Sequence, residues 1–147
     1  ETLSHENRPR EPSSSLWEPP ESGWLKCNFD STFRLNADYM GVGWIIRDDE
    51  GHYIESGWAK LPQVRTSLQA EANGFLYVTQ RIWSKGMRQV WFEGDSLALV
   101  NVINKREECT DLGNLLLDIR HWISLLPLCS LEHVNREKNQ IADRLSK

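Results

Sequence analysis

The chain is poor in cysteine, has no long apolar run and carries no excess of basic charge. Each absence narrows its class. Its 147 residues include three cysteines, Cys27, Cys109 and Cys129, odd in number, widely spaced and without a CxxC pair. That usage argues against a disulfide framework or a thiolate zinc site and is what an intracellular protein with free thiols shows. The apolar runs fall far short of the roughly 20 residues that cross a bilayer. The opening ETLSHENRPREPSSS lacks the features of a signal peptide, so no membrane partner is expected. Net charge is −4, and the first 22 residues carry five acids and two bases, leaving 16 acids against 15 bases from Gly23 onward. This near-neutral balance gives no support to long-range capture of nucleic acid, although it allows a local basic patch.

What is present points to one folded domain. A hydrophobic fraction of 39% and seven tryptophans argue against disorder, and the length suits a single core. Residues 1–22, rich in Pro, Ser and Glu, read as a linker or tail, with Trp17 in WEPPESGW as a candidate docking point; residues 23–147 read as the domain. Three strands are expected in series over 24–31, 40–48 and 52–60, with DDEG (48–51) as the turn between the last two. A helix follows over 67–84, opened by the capping box Thr66-Ser67-Leu68-Gln69 and closed by Gly86. Then come a strand (88–95), a helix (96–105), a helix (112–126) stopped by Pro127, a strand (129–136) and a terminal helix in NQIADRLSK. The order βββαβααβα implies an α/β fold with a mixed five-stranded sheet and helices on its faces.

Four acids sit where local structure would not choose them. Asp30 ends the first strand in KCNFDSTF, and Asp95 ends the fourth in FEGDS. In open α/β sheets, sites lie beyond the carboxyl ends of parallel strands, so the two aspartates can stand side by side. Alone, each reads as a strand-end turn or a helix cap more readily than as a functional residue, and Asp95-Ser96 is a natural cap. Glu71 shares the inward arc of Leu68, Ala72, Phe75, Thr79 and Ile82, in what reads as the first helical turn, where the helix dipole favours an anion. A charge on that stripe needs a partner. Asp143, beside Ile141, Ala142 and Leu145, has no defined direction and alone reads as solvent-exposed. Glu93, two residues before Asp95, reads as a spare ligand or as solvent-facing at the sheet margin. Trp44, Trp58, Trp83, Trp91 and Trp122 read as core or groove walls.

Taken in chain order, with spacings of 41, 24 and 48 residues, Asp30 in NFDSTF, Glu71 in SLQAEA, Asp95 in FEGDS and Asp143 in NQIADRLSK resemble the four-acid signature of the ribonuclease H family. The resemblance covers about residues 24–147. WEPPESGWLKCNFDSTF, GVGWIIRDDEG and VNREKNQIAD resemble in particular the ribonuclease H-like domains of plants, which occur as stand-alone proteins and at the C-terminus of retrotransposon reverse transcriptases. The resemblance implies a ribonuclease H-like fold and a metal-dependent endonuclease that hydrolyses the RNA strand of RNA·DNA hybrids. It implies two Mg²⁺ (or Mn²⁺) ions held by Asp30, Glu71, Asp95 and Asp143, with Asp30 bridging them. Hard oxygen ligands suit these cations, and two of them can stabilise both the attacking and the leaving oxygen.

By the same resemblance, Thr66 and Ser67 contact phosphate or ribose, while Ser31 and Thr32 add backbone or hydroxyl contacts. Arg136, in the loop before the last acid, stands where many relatives place a histidine; the bland reading is a surface arginine beside Glu137. The implied partners are an RNA·DNA hybrid and a reverse transcriptase to which the domain is fused or with which it works, and a monomer is expected. With the Arg136 loop as the first, three departures stand out. The long basic insertion of many relatives is missing between Asp95 and Asp143, and Leu97 stands where relatives often carry a glutamine that reads the 2′-hydroxyl. They support an alternative, a domesticated fold that binds nucleic acid or protein without useful catalysis. A nuclease of integrase or resolvase type is a weaker third reading. The end of the chain at Lys147, within a helix usually longer, fits an excised domain.

Overall fold

The computed structural model of the chain describes residues 17–147. Its strands are β1 (Leu25–Thr32), β2 (Tyr39–Arg47), β3 (Tyr53–Pro62), β4 (Gln89–Gly94) and β5 (Leu128–His133). Its helices are α1 (Ser67–Ser84), α2 (Leu97–Asn104), α3 (Asn114–Ser124) and α4 (Gln140–Ser146). They follow one another in the expected order, βββαβααβα. The sheet runs β3-β2-β1-β4-β5, antiparallel from β3 to β1 and parallel from β1 through β4 to β5.

Helix α1 has the caps its sequence announces. The Thr66 hydroxyl accepts from the Gln69 amide at 3.0 Å, and the Gln69 side chain reaches back to the amide of Arg65, one residue earlier than a strict capping box. At the other end, Gly86 (φ +83°) closes a Schellman turn: its amide bonds to Trp83 O, and that of Met87 to Ile82 O. The inward residues Ala72, Phe75, Val78 and Ile82 are buried against Cys27 and Phe29 of β1 and Val42, Trp44 and Ile46 of β2. Phe75 lies between Phe29 and Phe92, at ring separations of 5.2 and 5.1 Å. Of the tryptophans expected on apolar faces, Trp44 is buried, while Trp58 and Trp83 are 43% and 37% exposed. Trp58 sits on the edge strand β3, and Trp83 at the end of α1 stacks edge-on with Trp122.

The opposite face of β1 is covered too. Lys26, Asn28 and Asp30 are buried, beneath α4 and the segment Trp17–Ser22. Lys26 Nζ pairs with Glu93 Oε2 at 3.0 Å, bonds to the Glu18 carbonyl at 2.5 Å and lies 4.0 Å from the Trp91 ring centre. Glu93 is therefore neither a spare ligand nor solvent-facing: it is buried as the partner of Lys26. A buried ammonium requires such a counter-ion. The segment Trp17–Ser22 thus forms a strap that contacts the domain from within the tail expected over residues 1–22. The rest of the expected tail, residues 1–16, lies outside the described residues.

Helix α4 lies directly on β2. A Cβ at Gly41 would stand 2.1 Å from Ser146 O, and one at Gly43 2.4 Å from Ser146 N. Only glycine at both positions admits a helix backbone that close. Before α4, β5 stops at His133, three residues short of the expected end, because residues 135–139 form a turn in which Lys138 N and Asn139 N bond to Asn135 O and Arg136 O.

Candidate active site

The parallel register of β1 and β4 sets the site. Asn28 pairs with Glu93, so Asp30 and Asp95, each two residues further on, stand side by side. Asp95 follows the end of β4, whereas β1 continues two residues beyond Asp30, its expected end, to Thr32, because Ser31 and Thr32 still pair with β2. Glu71 reaches the same point from α1. Asp30, Glu71 and Asp95 each offer a carboxylate oxygen within 4.8 Å of the others. Glu71 is the fifth residue of α1, just beyond the N-terminal turn expected for it.

The fourth acid joins through Asp30, to which Asp143 on α4 is hydrogen-bonded; Asp143 also lies 3.1 Å from Lys147 Nζ. Arg136 comes to the site as well, its Nε donating to Asp95 Oδ2 at 3.3 Å from an otherwise exposed side chain.

Burial raises the Asp30 carboxyl to about 9, helped by the charge of Glu71, the hydrogen bond with Asp143 and the charge of Asp95. Burial also raises Glu71 to about 8, with the Asp95 charge; a bond from Asp30, the Arg136 charge and the Ser31 amide oppose the rise. The bond from Asp30 holds Asp143 below the ordinary carboxylate range, with Lys147 and Arg136 assisting against burial. Glu71 Oε1 is buried without a hydrogen-bond partner. Converging oxygen ligands, mutual repulsion and an unpartnered carboxylate oxygen fit a hard divalent cation, the group for which such a set is suited.

The expected substrate contacts fare differently. Ser31 Oγ is buried without a partner, where a Cβ at Gly74 would come within 2.1 Å, and Thr32 Oγ1 shares a 2.6 Å hydrogen bond with Ser146. The Ser31 hydroxyl thus packs against Gly74, and that of Thr32 is engaged by Ser146. Thr66 caps α1 and donates to Asp111 Oδ2 at 2.9 Å, while Gln69 Nε2 also bonds Asp111. A carboxylate on Thr66 repels a phosphate there. Ser67 is exposed at the first turn.

The sequence reading missed Asn28, Asn139, Gly41 and Gly43. The only signals were the amide inside KCNFD, the asparagine ahead of the last acid, and the alternate glycines of GVG.

Residues 28–147 match the family model described as Reverse transcriptase-like. The fold is similar to that of ribonuclease H1 from the halophilic archaeon Halobacterium salinarum, with TM-score 0.76 and 23% identity over 84% of this chain and 95% of that one. The N-terminal ribonuclease H domain of a Mycobacterium tuberculosis protein gives TM-score 0.72 and 21% identity, covering 84% of this chain and 90% of the other. A ribonuclease H1 isolated from compost, solved in complex with an RNA/DNA hybrid, gives TM-score 0.72 and 23% identity, covering 82% and 92%. No curated protein matches the sequence. By its matched residues and its sheet, the chain belongs to the reverse transcriptase-like family, with a ribonuclease H fold.

Proposed function

We propose that the protein is a metal-dependent endonuclease that hydrolyses the RNA strand of RNA·DNA hybrids. The observation that carries this reading is the convergence of Asp30, Glu71 and Asp95 within 4.8 Å, from β1, α1 and the end of β4. These three and Asp143 would hold two Mg²⁺ or Mn²⁺ ions, a reading supported by the interaction of Asp30 with both Glu71 and Asp143. When bound, such ions activate water and stabilise the attacking and leaving oxygens of phosphodiester hydrolysis.

The chain's own residues do the rest. Asp30 sits on a central strand, so its position is fixed by the sheet, and in its ionised form it would serve as a metal ligand. Asp143 is already ionised at neutral pH. Arg136 sets a positive charge beside Asp95, at the exposed side where a phosphate oxygen can meet it. Hybrid duplex is the substrate favoured by the compost enzyme's complex and by the shape-based reading of such duplexes. Leu97, 54% exposed, offers no polar group to a 2′-hydroxyl, so selection of the RNA strand falls to other groups, Ser67 among them.

A second reading, a binding module without catalysis, is favoured by Leu97, exposed where a group that reads the 2′-hydroxyl is expected. We further read the domain as extending from Trp17 and as the plant type, fused to or working with a reverse transcriptase. It acts inside the cell as a monomer, in keeping with free Cys27, Cys109 and Cys129. Among the described residues, no helix is long and apolar enough to cross a membrane. A panel of labelled duplexes tests the main reading: RNA·DNA hybrid should be cut with Mg²⁺ or Mn²⁺, leaving 3′-hydroxyl and 5′-phosphate ends. Retention of the hybrid on the protein without cleavage would select the second reading.

A further inference from the structure

Asn28 is buried, and three different elements saturate its amide. Its Oδ1 accepts from Trp17 Nε1 at 2.9 Å, while Nδ2 donates to Glu93 Oε1 and to Asn139 Oδ1, each at 3.1 Å. Asn139 is buried as well. Its Nδ2 donates to the Phe29 carbonyl at 2.7 Å, one residue before Asp30, and its own carbonyl accepts the Asp143 amide at 3.0 Å. One residue therefore grips both the strand of Asp30 and the helix of Asp143. Its side chain forms no capping bond within α4, because it is committed to β1.

Helix α4 has seven residues, too few to hold together without outside contacts. Buried amides are costly to leave unpaired, so the Trp17 N–H fixes the orientation in which Asn28 can meet Asn139. The strap is held at two further points, by the Glu18 carbonyl on Lys26 and by the Glu18 carboxylate 3.4 Å from Lys138, in the turn leading to Asn139.

We propose that the strap Trp17–Ser22 positions the acidic site: through Asn28 and Asn139 it holds α4, and so Asp143, against Asp30. Trp17, Asn28 and Asn139 are positioning residues, and whatever lifts Trp17 from Asn28 loosens the fourth acid. This rests on the reading of Asp143 as part of the site proposed above.

Hydrogen exchange on the full chain tests the strap without relying on activity. Trp17→Phe keeps an aromatic ring and removes the N–H. Without metal, it should speed exchange of the Asp143 amide about three- to tenfold, the worth of one such hydrogen bond, while β2 amides stay unchanged. An unchanged Asp143 amide, or a rise shared equally with β2, overturns the proposal, since the bond would then serve general stability alone.

The wild-type chain provides a second test that survives any folding defect of the variant. Coupling is reciprocal, so Mn²⁺ should slow exchange at the Trp24 amide, which closes the strap on Glu21 O, as well as at Asp143. Protection of Asp143 with no change at Trp24 overturns the strap. Failure of Mn²⁺ to protect either amide counts against the metal reading instead, and the first comparison still decides the strap. In cleavage of hybrid, Trp17→Phe should lower kcat with little change in KM.

Discussion

Asp30 and Asp143 are joined by a hydrogen bond yet hold their protons unevenly: burial, then the charge of Glu71 and this bond, raises Asp30 to about 9, while the same bond holds Asp143 below the ordinary carboxylate range. With Glu71 raised to about 8, the site keeps protons that the same residues lose in the unfolded chain. Between the ordinary carboxylate values and those raised values, the folded form binds more protons. Metal-free stability from these groups is therefore full below about pH 4 and is lost as pH rises through 8 to 9. Melting temperature without metal should fall from pH 5 to 9. Asp30→Asn should flatten that slope and raise the melting temperature at pH 9 by about 2–6 °C. Calorimetric titration with Mn²⁺ should show tighter binding at pH 8 than at pH 6, with proton release.

Helix α4 depends on bare backbone beneath it. Gly43→Ala would bring a Cβ within 2.4 Å of Ser146 N and 2.6 Å of Leu145. Overpacking of this kind costs about 1–3 kcal/mol, to be read from urea unfolding. Because the displaced helix carries Asp143, cleavage of hybrid should fall more than stability does.

The buried ion pair gives a test of the sheet's second face. Lys26→Met leaves Glu93 charged and uncompensated, with an expected cost of about 3–5 kcal/mol. Adding Glu93→Gln keeps the oxygen that accepts from Asn28 and removes the charge, so the double variant should regain most of the loss. Chemical denaturation of the wild type and the two variants measures both terms.

Arg136 separates function from stability. Its side chain is largely exposed, so Arg136→Ala should change stability by less than about 1 kcal/mol. Loss of a charge-assisted contact to phosphate should slow hybrid cleavage about ten- to hundredfold. Arg136→Lys, which keeps the charge without the planar fork, should lie between.

Much of this architecture is legible in the sequence because it rests on local periodicity. The β1 alternation, the inward stripe of α1 with its Thr66 cap and Gly86 end, and the strand-end aspartates are all signals carried within ten or so residues. The ranges of β1 to β4 and the bounds of α1 follow from them. What the sequence hid depends on pairs far apart in the chain. Alternation in KCNFD separates Cys27 and Phe29 from Lys26, Asn28 and Asp30, yet it cannot say that both faces are covered. Lys26 meets Glu93 67 residues later, and Asn28 meets Glu93 across 65 residues and Asn139 across 111. The Asp111 carboxylate that meets the Thr66 hydroxyl lies 45 residues away, after three intervening elements, so no local signal announces that bond. Asp143 has no phase in a seven-residue helix; its direction comes from Gly41 and Gly43 on another strand.

The most direct measurement is cleavage of an RNA·DNA hybrid, labelled on its RNA strand, by the wild-type chain and Asp95→Asn with Mg²⁺ or Mn²⁺. Metal-dependent cleavage of the RNA, abolished by the substitution and by chelator, is the predicted result. An uncut RNA strand at high enzyme concentration, or equal cutting by wild type and Asp95→Asn, would contradict the assignment of the carboxylate cluster as a catalytic metal site.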